Sequence, residues 1–212
     1  LIIEKPIISV KIFKKSYKLY LKKIYKKFNN LIVVYPMVFL ARSILRFIKI
    51  KNKIKSIEIH YYTSGKERDD EIFIDLSPHA LTFFYEICKL NKIRLGKVID
   101  IKKNIKSKIW VGSIIYKNIK LLMNFQKIPK NAKSKFFVKI NNSKISRITK
   151  KKNEIFVNYI NFKEKIIQVE NPMKCVFDNA INSITKKRLF KENKSLTKWL
   201  MGITEKFIVP KI

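Results

Sequence analysis

The sequence predicts an α+β fold, a small sandwich of two helices on one face of a sheet. Three observations carry this reading. Two apolar stripes have helical spacing, and each is opened by a capping residue followed by proline. Segments of β character alternate with them, which favours layers of helix on sheet. Hydrophobic residues make up 47% of the chain, enough to build a core and to exclude whole-chain disorder.

Taken in order, residues 5–29 place Ile12, Phe13, Tyr17, Tyr20, Leu21, Ile24 and Phe28 near helical spacing with lysines between them, a basic amphipathic helix. Residues 31–40 are the most apolar run. They are ten in number and followed by Arg42 and Arg46, whereas a membrane span needs roughly 20, so a buried helix is expected. Residues 56–62 alternate, with Ile57 and Ile59 on one face and Glu58 and His60 on the other, as a half-buried strand does. A polar loop with Gly65 follows, and residues 72–75 read as a short extension of the sheet. Ser77 is a good N-cap, Pro78 takes the first helical position, and Asp75 suits the positive end of the helix dipole. Leu81, Phe84, Tyr85 and Cys88 form the apolar stripe, and Asn91 stops the helix. Residues 93–101, 108–115 and 154–169 return to β character. Asn171 and Pro172 then open a second helix with Met173, Val176, Phe177 and Ala180 as its stripe, and the basic tail from Ile184 holds a short helix at 195–201.

Charge is the most informative feature. The net charge is +33 over 212 residues, and it is segregated. Residues 1–57 hold 15 basic residues and one acid, residues 58–100 hold 6 basic and 8 acidic, and residues 101–153 hold 16 basic residues and no acid. A solvated charged face mixes signs, so a long acid-free stretch argues for a polyanionic neighbour. The lysines are interleaved with apolar residues, as in Lys-Phe-Phe-Val-Lys-Ile at 135–140, so that one side can pack while the other meets phosphate. The excess of Lys, Ile and Asn resembles translation of an AT-rich genome, and with Leu rather than Met at position 1 it suggests an organelle-encoded chain.

Motifs for catalysis are few. His60 and His79 lie on different elements without a spaced metal partner. Glu67, Asp69, Asp70 and Glu71 cluster beside Lys66 and Arg68 in a loop, the usual setting of solvated carboxylates. The four glycines, Gly65, Gly96, Gly112 and Gly202, are isolated, so no phosphate-cradling loop is present. Cys88 and Cys175 sit in apolar helical patterns, as buried small hydrophobes do. No catalytic residue, metal or cofactor is expected, and the chain reads as a non-enzyme.

Particular residues add a family resemblance. Glu86 and Lys89 in the first helix, the run Ile166-Ile167-Gln168-Val169-Glu170, and the continuation Asn171-Pro172-Met173-Lys174-Cys175-Val176 carry it. With the order of elements, they resemble the universal small-subunit ribosomal protein S-ten family, in an organellar (mitochondrial) form with large extensions. About half of the chain, roughly residues 56–115 and 154–183, is covered. The resemblance implies a strand at 56–63, a helix at 78–90, a long projecting basic β-hairpin leaving along 93–101 and returning along 154–170, then the second helix. A competing register returns along 137–140, and residues 188–190 are the candidate last strand. Residues 1–55 would be a basic lineage-specific extension with an amphipathic helix. Residues 56–183 would be the α+β ribosomal core with the basic hairpin inserted at about 102–153, and residues 184–212 a basic C-terminal extension.

The function so implied is structural: a constituent of the small-subunit head of a mitochondrial ribosome in the matrix, binding small-subunit ribosomal RNA and neighbouring head proteins. No small-molecule substrate and no stable membrane insertion are expected. The RNA-binding candidates are Lys102, Lys103, Lys106, Lys108, Trp110, Lys133, Lys135, Arg147, Lys150, Lys151 and Lys152, with Tyr116 and Phe136 as further stacking platforms. Two alternatives stand beside it. One is a lineage-specific subunit of a mitochondrial inner-membrane respiratory complex, supported by residues 5–29 and 31–40; the other is an organellar intron-splicing or DNA-coating protein.

Overall fold

The computed structural model describes residues 2–4, 10–28, 31–50, 53–64, 72–106, 108–116, 118–153, 155–185 and 187–208. The elements are, in chain order, β1 (Ile2–Glu4), α1 (Val10–Lys27), β2 (Ile32–Val34), α2 (Pro36–Phe47), β3 (Ser56–Thr63) and α3 (Ile72–Leu90). Seven strands follow: β4 (Val98–Lys106), β5 (Ile109–Tyr116), β6 (Lys120–Lys127), β7 (Lys135–Ile140), β8 (Ser143–Lys152), β9 (Ile155–Phe162) and β10 (Lys165–Val169). Helices α4 (Pro172–Thr185) and α5 (Lys187–Ile208) end the described chain.

Period-two alternation decides the architecture. Strands β5, β6 and β7 bury every second side chain: Trp110 and Ile114, then Leu121, Met123 and Phe125, then Phe136, Val138 and Ile140. Three such strands share one buried face, and they lie in an eight-stranded mixed sheet of order β10-β9-β8-β7-β3-β6-β5-β4, with β3 between β7 and β6. The pairs are antiparallel except β3 with β6, which run parallel with Ile57 opposite Leu121 and Thr63 opposite Lys127. Helices α3 and α5 cover the buried face. Phe73 of α3 stacks on Trp110 with ring centroids 4.2 Å apart, and Phe207 of α5 meets the same indole at 5.7 Å. A separate pair, β1 and β2, is parallel and bridged by α1. Helix α1 buries Tyr17 and Leu21, and the Asn193 side chain of α5 bonds both the amide and the carbonyl of Val33 at 3.0 and 2.9 Å.

Local chemistry explains the ends of elements. Asn171 caps α4, its Oδ1 accepting from the Met173 amide at 2.9 Å. Asn141 turns β7 into β8 with φ 52°, a left-handed conformation that Asn tolerates, and its Oδ1 accepts from the amides of Lys55 and Ser56. Helix α3 begins at Ile72, not at Pro78, so residues 72–75 are helical rather than an extension of the sheet. The reason is packing: with Phe73 held against Trp110, the first turn forms ahead of the proline. Thr82 Oγ1 donates to the Pro78 carbonyl at 2.6 Å one turn on.

The small two-helix sandwich with a projecting hairpin is corrected by this architecture. Residues 102–153 do not leave the body; they supply much of β4 and all of β5 to β8, and with them the centre of the core. Residues 188–190, the candidate last strand, lie in α5. Residues 31–40, expected as a buried helix, divide into β2 and the start of α2, with Leu31, Val33, Tyr35, Met37 and Leu40 buried. One hydrophobic core runs from Tyr17 to Phe207. No helix among the described residues is long and apolar enough to cross a membrane.

Candidate active site

The polar residues that converge do so where the N-terminal half of α3 crosses the sheet. Asp75 and His79 are four residues apart, so α3 presents both on one face. Below them, Tyr61 projects from β3 on the helix-covered face and stacks with His79, centroids 5.9 Å apart and planes 15° off parallel. Tyr61 meets Phe136 of β7 edge-on at 5.6 Å, its directly paired neighbour. Phe136 in turn pairs with Arg147 of β8. Arg147 Nε and Nη2 both donate to Asn158 Oδ1 of β9, at 3.1 and 2.7 Å, and Thr149 Oγ1 donates to the same oxygen at 3.3 Å. Asn158 is only 2% exposed. The floor of the site thus crosses four strands, and α3 is its roof.

Burial tunes the groups. Burial pushes the Tyr61 phenol above its ordinary value and the Asp75 charge adds to that, while Arg147 works against them. Tyr61 is therefore a neutral hydroxyl at physiological pH. Burial draws the Arg147 guanidinium below its ordinary value, with Tyr61 opposing; a guanidinium starts so high that it stays cationic. The arrangement offers an imidazole and a carboxylate on one side, a phenol between, and a fixed cation opposite. That set can bind a small polar molecule and move a proton on it. Among the described residues no group of three or more His, Cys, Asp or Glu side chains can hold a metal ion.

Concavities elsewhere in the fold include two lined by charged side chains. One, of about 350 Å³, sits among α2, α3, α4 and α5, and its charges pair internally as Arg42–Glu86 at 2.7 Å and Lys89–Glu192 at 3.0 Å. The other, of about 550 Å³, lies between α1 and α5 and presents Lys18, Lys22, Lys26, Lys194 and Lys198 beside Tyr17 and Tyr25. The charges of the first are already paired within the protein, and the second presents mainly lysines and tyrosines.

The residues expected at an RNA surface do not converge. Lys102 and Lys103 are exposed on edge strand β4, one 3.5 Å from Asp100 and the other donating to the Phe207 carbonyl at 2.7 Å. Lys106 ends β4, its side chain outside the described residues, and Lys108 follows in the turn. Lys133 is exposed in the connection before β7, Lys135 at its start, and Lys150, Lys151 and Lys152 at the end of β8. Strands β4 and β8 stand five places apart in the sheet, about 24 Å at the usual ~4.8 Å spacing. Trp110 is 1% exposed, and Tyr116 and Phe136 are also buried, so all three are core residues and not platforms for a base. Arg147 alone falls in the candidate site. Sequence reasoning passed over Asp75, His79, Tyr61 and Asn158; the legible signal was the Asp-x-x-x-His spacing, which helical geometry turns into a shared face. The acidic cluster Glu67, Asp69, Asp70 and Glu71 lies outside the described residues.

No family model matches the sequence, and no curated protein does. Solved structures do match in fold. A dehydrogenase from Clostridium difficile aligns over 96% of this chain and 70% of its own, with TM-score 0.57 and 14% identity. An oxidoreductase from Bacillus cereus aligns over 100% of this chain and 84% of its own, with TM-score 0.58 and 15% identity. The UDP-N-acetylglucosamine 3-dehydrogenase of Acidithiobacillus ferrooxidans aligns over 98% and 71%, with TM-score 0.54 and 10% identity. These likenesses correct the S-ten ribosomal expectation. The ribosomal RNA and head-protein partners, the non-enzymatic role, the exclusion of a small-molecule substrate and the respiratory-complex alternative lose their footing with it. The fold of this chain is one that dehydrogenases and oxidoreductases use.

Proposed function

We propose that the chain is an oxidoreductase-type enzyme that binds a small hydroxyl-bearing molecule between α3 and the sheet, with His79 taking the proton of the reacting hydroxyl while a diffusible redox acceptor takes the hydride from its carbon. The observation that carries this reading is the pairing of Asp75 and His79 on one helical face, over Tyr61. An imidazole serves as the base, with the Asp75 carboxylate one turn away on the same helical face and the Tyr61 hydroxyl beneath as a hydrogen-bond partner for the substrate. The aromatic wall of Tyr61 and Phe136 limits water on one side.

A dinucleotide is the redox partner that such folds bring to mind, and the described residues do not form a cradle for it. Pyrophosphate binding needs a glycine-rich turn between a strand and a helix N-terminus. The four glycines here are isolated, and Gly96, Gly112 and Gly202 are placed in a connection, a strand and a helix.

The test is turnover of a panel of sugars and polyols, with a dinucleotide or a redox dye in solution as electron acceptor. Replacing His79 with Ala is expected to lower kcat/KM by about 10²- to 10⁴-fold, the usual contribution of a positioned acid–base group. Asp75→Asn should lose less, with unchanged thermal unfolding in both. Wild-type turnover in both variants would refute the assignment.

A further inference from the structure

We infer that the molecule bound at this site carries an anionic group, a carboxylate or a phosphate, received by Arg147. The inference rests on the proposed function above and adds the class of substrate. Arg147 is half-buried on the helix-covered face of β8, and its partner there is neutral: Nε and Nη2 both go to Asn158 Oδ1. The ion pairs of the arginines and lysines among the described residues lie elsewhere, as at Arg42–Glu86, Lys89–Glu192 and Lys139–Glu58. A cation drawn from water without a counter-ion is costly, and that cost is retained where an anion arrives to offset it.

The guanidinium is also aimed. Asn158 is buried and accepts from Thr149 as well, so it fixes one edge of the fork. Nη1 has no protein partner among the described residues and remains for a ligand. Planar bidentate recognition of carboxylate or phosphate is what an arginine so held does best. Strands β3 and β8 are two places apart, about 10 Å between backbones. Tyr61 and Arg147 lie on the same face of those strands, with Phe136 between them. The net charge of +33 adds a field that draws anions in.

The experiment compares three probes on one carbon skeleton, glucose, glucuronate and glucose 6-phosphate, bound to the full chain and followed by titration calorimetry. Both anions should bind about 10- to 100-fold tighter than glucose, a preference that shrinks as salt rises. Which anion leads distinguishes carboxylate from phosphate. Arg147→Gln should bring the anions down towards the affinity of glucose and abolish the preference between them and glucose, while Arg147→Lys keeps part of it. If Arg147→Gln fails to fold, the wild-type preference and its salt dependence decide without it. Equal binding of all three probes, or a preference intact in Arg147→Gln, overturns the inference while the proposed function stands. Binding of none of them, or binding indifferent to Asp75 and His79, overturns the proposed function itself.

Discussion

Replacing Gly112 by alanine tests how the helix that carries Asp75 and His79 is held. Gly112 and Trp110 are two residues apart on the buried face of β5, and the indole folds back over the glycine. A Cβ at position 112 would stand 2.2 Å from the indole Cη2, 2.6 Å from Cζ3 and 3.1 Å from Cζ2. Ordinary contact begins near 3.4 Å, so the ring would have to move by about 1 Å. It has little room, because Phe73, Phe125 and Phe207 surround it at 4.2, 5.2 and 5.7 Å. Forcing one carbon into such a packed site costs roughly 1–3 kcal/mol. In a chain of 212 residues each kcal/mol lowers Tm by about 2–4 °C, so Gly112→Ala should lose about 2–12 °C. The displaced ring pushes on Phe73, two residues before Asp75, so substrate affinity should fall as well.

A double variant isolates the cause. In a Trp110→Phe background the smaller ring clears the new methyl, and the added cost of Gly112→Ala should shrink by about 1 kcal/mol or more. Thermal unfolding followed by circular dichroism reads all four combinations. An unchanged Tm for Gly112→Ala, or the same loss in both backgrounds, would show that the indole does not lie over Gly112 and that α3 is anchored some other way.

Two further perturbations address other parts of the fold. Arg42→Ala removes the 2.7 Å partner of Glu86, which is only 2% exposed, and leaves a buried carboxylate. The expected cost is about 2–4 kcal/mol, kept below the fully buried case because Arg42 is partly solvated; a chemical denaturation midpoint equal to the wild type's would count against the pair. His60 concerns pH. Burial first, with Lys139 and Lys144 nearby, holds its imidazole below the ordinary value of about 6.5, against the pull of Glu58 at 3.5 Å. The unfolded chain therefore takes up this proton before the folded one, so the contribution of His60 to stability is lost as pH falls below the unfolded value. Urea unfolding between mildly acidic and neutral pH should be less pH-dependent in His60→Gln, and an unaltered slope would place the titration elsewhere.

Local chemistry was legible wherever a single residue decided it. The strand at 56–63 and the Asn171 cap before α4 follow from alternation and capping alone. The start of α3 was not legible, because Phe73 is helical on account of Trp110, a residue 37 positions away that no local rule connects to it. The site was visible in part: Asp75 and His79 had the right spacing, but Tyr61, Arg147 and Asn158 meet only through the cross-strand register of β3, β7, β8 and β9.

The acid-free stretch shows why the partner was misread. Apolar residues recur at every second position through 110–116, 121–125 and 136–140, and the lysines gather at strand ends and on the other face. A hairpin reaching along a polyanion needs two arms, whereas three buried faces in succession, joined by short connections, demand a sheet with its own core. The apolar period therefore outweighed the charge, since burying Trp110, Met123, Phe125 and Val138 removes large apolar surfaces from water, whereas exposed lysines leave the fold of a strand nearly unconstrained. Arg147 marks the exception that this reasoning identifies. It is a basic residue at a buried-face position of β8, in phase with Ile145 and opposite Ile160, where the strand pattern calls for an apolar side chain. A cation kept at such a position is the mark of a site rather than of a charged surface, and it points to an anion that the fold itself does not supply.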